Sequence, residues 1–132
     1  MLADLALPLP PHWLIRASVG AVWLYEGLWC KLLGRAPAQL RVVEAVPFLA
    51  SRAASRFLLA LGGVETCLAL WVLSGIRPGL CAVVQTSLLV ALNMGGIMWA
   101  RQRIHDPAGM VLKNAALLIL AWVGATLQQG AI

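Results

Sequence analysis

Tyr25, Glu26, Lys31, Glu65, Asn93, Lys113 and Asn114 interrupt stretches that are otherwise apolar, and they are the residues of this chain with chemistry to offer. A carboxylate and an ammonium in an apolar setting either neutralise each other or pass protons, while a carboxamide donates and accepts hydrogen bonds at once. Each ionisable group inside a membrane costs roughly 2.5–3.5 kcal/mol on insertion scales, so its presence calls for a partner or a function.

The elements that must position these groups are four apolar stretches, at about residues 13–33, 57–75, 79–100 and 108–127. A bilayer core needs about 20 apolar residues of helix, and each stretch is close to that length. Composition agrees. Among 132 residues, 61% are apolar and only 11% charged, with a mean hydropathy of +0.86. A soluble domain is about half apolar and a quarter charged, so this chain has too little polar surface to face water on all sides. The stretches lack the alternation of a membrane barrel. The expectation is an all-α integral membrane four-helix bundle, one transmembrane domain over residues 1–132. Asp4 and the lack of a basic leading region predict no cleaved signal peptide.

Connections carry their own signals. Ser74-Gly75-Ile76-Arg77-Pro78-Gly79 predicts a tight turn and a hairpin of the second and third helices. Asp106 before Pro107 predicts an N-cap and a first helical position. Between Pro37 and Pro47, Leu40, Val43 and Val46 oppose Arg41 and Glu44, which predicts a short interfacial helix in the first loop. Trp13 and Trp71 mark one membrane face, Trp29 and Trp99 the other. The latter face also carries Lys31, Arg35, Arg41, Arg52, Arg56, Arg101 and Arg103, so the positive-inside rule places these basic loops in the cytoplasm and both termini outside. Basic loops meeting anionic headgroups account for the net charge of +5 without a nucleic-acid partner.

Counted from the basic face at about 1.5 Å per residue, Glu26 lies about 10 Å deep and Glu65 about 15 Å deep. Asn93, Lys113 and Asn114 lie about 7–9 Å deep on the same count. All four helices thus bring a polar group to the same half of the membrane. Glu65 shares a face with Gly62 and Ala69, Asn93 with Thr86, and Asn114 with Ala121 and Ala125, as residues facing a neighbouring helix do. Lys31 follows Glu26 by five residues, about 140° round an α-helix, and lies near enough to the surface to snorkel. Lys113 is therefore the expected ion-pair partner for a carboxylate. Two readings of the layer stand side by side: a buried network that only fixes helix register, or a pocket that binds a polar headgroup or handles protons. Tyr25 suits either, as a belt residue or a hydroxyl donor.

Cys30, Cys67 and Cys81 fall in three different stretches with no CxxC spacing, which predicts three free, buried thiols. His12 and His105 fall on opposite faces, so neither a haem clamp nor a metal site is expected. His105 reads first as a surface residue ahead of the Asp106 cap and second as lining a pocket entrance. No nucleophile elbow, P-loop, dinucleotide fingerprint or zinc-hydrolase motif is present, so the chain shows no catalytic centre of its own.

The run Val22-Trp23-Leu24-Tyr25-Glu26-Gly27-Leu28-Trp29-Cys30-Lys31 resembles the first helix of the DoxX-like membrane proteins, with an aromatic, a His or Glu, a Gly and a following Lys. Gly62-Gly63-Val64-Glu65 resembles their second helix, and His105-Asp106-Pro107 with Lys113-Asn114 the entry to their fourth. The resemblance implies a four-helix membrane bundle and a link to membrane redox chemistry. One relative is a subunit of a thiosulfate:quinone oxidoreductase, and others associate with sulfurtransferase or superoxide-detoxifying partners. Two functions follow as expectations. In one, the chain is the membrane subunit of a redox complex whose polar pocket accepts a quinone or similar polar-headed lipid, with electrons supplied by partner subunits. In the other, it is a non-catalytic lipid-binding, transport or assembly protein.

Overall fold

A computed structural model describes residues 8–49 and 52–130. Helix α1 spans His12–Leu24 and continues without a break into a π-helical segment, Tyr25–Leu32. Then come α2 (Pro37–Glu44), α3 (Arg52–Ser74), α4 (Pro78–Ala100) with a 3-10 turn at Arg101–Arg103, and α5 (Pro107–Gly130). Three helices, Arg52–Ser74, Pro78–Arg103 and Pro107–Gln129, are long and apolar enough to cross a membrane. The chain is an all-helical, multi-pass membrane bundle in which these three are joined by two shorter elements, α1 and α2. The first stretch differs from its expected form, because its α-helical part is 13 residues long before the winding changes at Tyr25.

The signals in the connections act as their chemistry dictates. Gly75 sits at φ +72° and Arg77 at φ +46°, which lets the chain reverse before Pro78 opens α4. The Trp71 indole donates to the Ile76 carbonyl at 2.7 Å, and Gln128 of α5 donates to the Gly75 carbonyl at 2.6 Å, pinning the turn from two sides. Asp106 Oδ1 accepts the Gly109 amide at 3.0 Å, capping α5. Gly34, at φ +66°, ends the π-helical segment.

Helix α1 lies between α3 and α5, α5 packs along α4, and α3 touches α4 only lightly beyond their shared turn. The core therefore gathers around α1: Ile15, Val19 and Trp23 meet Leu68, Ala69 and Val72 of α3 and Ala121 of α5. Leu59, Leu70, Val90, Met98, Leu112 and Ile119 face outward, as helices in lipid require. Cys30 and Cys81 are buried and Cys67 is exposed, all three as free thiols. The expectation of three buried thiols is thus corrected at Cys67, which lies on the outer side of α3.

Candidate functional site

A helix–helix contact made through glycines builds the ion-paired part of the interior. A Cβ on Gly27 would stand 2.7 Å from the Thr66 amide nitrogen and 2.8 Å from the Gly62 carbonyl; one on Gly62 would stand 2.7 Å from Lys31 Cβ. Only glycine fits at either position, so the π-helical segment and α3 lie backbone to backbone. That contact carries Lys31 directly over Glu65, one helical turn past Gly62.

Lys31 Nζ lies 3.0 Å from Glu65 Oε1 and donates to Oε2 at 3.1 Å. It also donates to the Glu26 carbonyl at 3.3 Å and lies 3.5 Å from Glu26 Oε2. Glu65 is 2% exposed, Lys31 8% and Glu26 39%, so the triad runs from the bundle interior to its flank. Gln39 of α2 closes the outer end, its Nε2 donating to Glu26 Oε2 at 3.1 Å.

Lys31, and not Lys113, is thus the carboxylates' partner, and the reason is the winding. At 100° per residue, Lys31 stands on the far side of the helix from Glu26. In a segment whose hydrogen bonds run from i to i+5, residues five apart are one turn apart and share a side. The Leu33 amide on the Leu28 carbonyl at 2.8 Å is one such bond. Lys113 is exposed on the outer face of α5 and makes no ion pair among the described residues.

The other members of the expected layer form a second, separate pair. Asn114 Nδ2 donates to Asn93 Oδ1 at 3.0 Å, and Asn93 Nδ2 donates to the Leu89 carbonyl at 2.7 Å. This pair ties α4 to α5, whereas the triad ties the π-helical segment to α3. No hydrogen bond joins the two among the described residues. Tyr25 projects outward and His105 is exposed in the connection before α5.

One interior polar group carried no signal in an apolar-periodicity reading. Gln85 of α4 is buried and accepts the Trp23 indole N–H at 2.8 Å, while its Nε2 donates to Cys81 Sγ at 3.6 Å. Gln85 borders a cavity of about 30 Å³ that reaches Arg16 and Gln128, with room for a water molecule or two. A groove of about 390 Å³ lies at the other end, beside Trp99, Arg101 and Arg103. Neither hollow touches Glu26, Lys31 or Glu65.

A family model described as the DoxX-like family matches residues 20–122. The chain belongs to the DoxX-like family. The matched residues include the whole triad, Glu26, Lys31 and Glu65, together with Gln39, Asn93 and Asn114. No curated protein and no solved structure matches the chain. A small multi-pass membrane protein of the DoxX-like family is thus established by the match and by the three membrane-length helices together.

Proposed function

We propose that this DoxX-like protein is the small membrane subunit of a redox-linked complex, and that the Glu26 end of the triad receives the polar head of a quinone or similar lipid. One observation carries this reading: the ionic network does not close on itself inside the bundle. Lys31 and Glu65 already neutralise each other, yet a second carboxylate, Glu26, extends the network to the flank. An intramembrane ionisable group beyond those needed for pairing is a functional site by default. Electrons would come from partner subunits.

The topology proposed with this reading has four spans in a single transmembrane domain. α1 and the π-helical segment together reach about 30 Å, enough to cross the hydrocarbon core. Both termini then lie outside and the basic loops in the cytoplasm, with α2 resting at the interface. Its Leu40 and Val43, and Val46 just past its end, are half-buried while Arg41 and Glu44 are exposed. The second reading, a non-catalytic lipid-binding, transport or assembly protein, is favoured by the mutual saturation of Lys31 and Glu65, which suits a purely structural clamp.

Purification in mild detergent separates the two. Extracted quinone and lipid, measured with thermal stability, compare the native protein with the Lys31→Met, Glu65→Gln double variant and with Glu26→Gln. The expected result is co-purifying quinone that both variants lose while remaining folded. A stable double variant that keeps its full ligand content would end the functional reading of the triad.

A further inference from the structure

The donors and acceptors around Glu26 are unequal in number. Lys31 offers three N–H groups, and four oxygens already surround them: both of Glu65, the Glu26 carbonyl and Glu26 Oε2. Gln39 spends its amide on Glu26 Oε2, and its own Oε1 is buried with no hydrogen-bond partner. Turning the Gln39 amide over is no remedy, since it would set oxygen against carboxylate oxygen. Glu26 Oε1 likewise accepts nothing from the described residues. The site also holds two carboxylates against one ammonium. Arg35, the next cation along the chain, lies over the Trp29 ring at 5.4 Å instead. What remains open on this flank is therefore acceptor capacity and negative charge, next to an orphaned buried oxygen of the kind that costs stability until a donor reaches it.

We infer that the Glu26–Gln39 end of the triad takes a headgroup that donates hydrogen bonds, the hydroxyl of a reduced quinone or the ammonium of an aminophospholipid, in preference to one that only accepts them. The inference deepens the headgroup reading above and rests on it. A quinone carbonyl needs a donor, and beside the engaged Lys31 ammonium only the second Gln39 N–H is left to offer one. A quinol hydroxyl needs an acceptor, and Glu26 Oε1 and Gln39 Oε1 are both available. The Gln39 oxygen is reached by lifting its side chain, which is inexpensive because α2 has no buried residue to withdraw.

The test uses the full chain in phosphatidylcholine nanodiscs under anaerobic conditions, with calorimetric binding of a short-chain quinol and of the matching quinone. A hydrogen bond to a charged acceptor predicts quinol binding about tenfold tighter than quinone. Gln39→Leu should weaken quinol binding without lowering thermal stability, and Glu26→Gln, which removes the charged acceptor, should lose quinol binding. Quinone binding equal to or tighter than quinol in the native protein would overturn the inference and leave the headgroup site intact. If neither form binds but phosphatidylethanolamine raises thermal stability only when Glu26 is present, the donor chemistry stands with lipid as its source and the quinone reading falls. Absence of all three responses would overturn both.

Discussion

Replacing Glu65 with Gln removes the deepest charge in the molecule while keeping its shape, and the outcome distinguishes Lys31 from Lys113 as its partner. Removing one member of a buried ion pair costs about 3–5 kcal/mol, because the other is left buried and uncompensated. Lys31 would retain Glu26 Oε2 at 3.5 Å and the Glu26 carbonyl at 3.3 Å. The loss should therefore fall at the lower bound, about 3 kcal/mol. Replacing a whole buried pair with apolar groups is close to neutral, so adding Lys31→Met should return about 2 kcal/mol of that. Lys113 is exposed, so the effect of Lys113→Met should add independently to that of Glu65→Gln. Reversible unfolding in bicelles of the three single and two double variants supplies both cycles. Coupling above about 1 kcal/mol between Glu65 and Lys113, with none between Glu65 and Lys31, would refute the winding argument.

Three further outcomes are expected. Gly27→Ala should destabilise by about 1–3 kcal/mol in the same assay, since its Cβ would meet α3 backbone, whereas Gly63→Ala, which opens onto free space, should cost nothing measurable. A reporter fused at the C-terminus should read extracytoplasmic and one inserted between Gly34 and Ser55 cytoplasmic; the opposite pair of readings would invert the topology. Spin labels at Leu40 and Val43 should report lipid and one at Glu44 water, and equal water exposure at all three would remove α2 from the membrane surface.

Much of the architecture was legible because it rests on local rules. The apolar stretches at 79–100 and 108–127 fall within helices Pro78–Ala100 and Pro107–Gly130, since Pro78 and Asp106-Pro107 set the helix starts chemically. The helix expected from residue 57 begins at Arg52, because cations and small residues at its entry carry no apolar signal. Asn93 and Asn114 could be placed at one depth by counting, and they do meet. Lys31 could not be placed, because projecting its direction at 100° per residue assumes the winding that this segment abandons. The available signal was a Glu and a Lys five residues apart with a glycine beside the Glu. Gln39 and Gln85 were out of reach for another reason: each owes its role to a partner far along the chain, Glu26 and Trp23 respectively.

The π-helical winding also explains how two helices alone can make a three-group network. In an α-helix, Glu26 and Lys31 would diverge by about 140°, so directing one toward α3 would turn the other toward lipid. With the turn widened, Gly27 can press against Gly62 and Thr66, Lys31 can sit above Glu65, and Glu26 can remain on the same side at the rim. The glycines set how near the backbones come, and the winding sets which side chains that nearness brings together. Neither suffices alone: glycine contact without the winding yields a tight apolar crossing, and the winding without glycine contact leaves Lys31 too far from Glu65 to pair. The triad is therefore a property of the crossing between the π-helical segment and α3, and a substitution at Gly27 should disturb it as surely as one at Glu65.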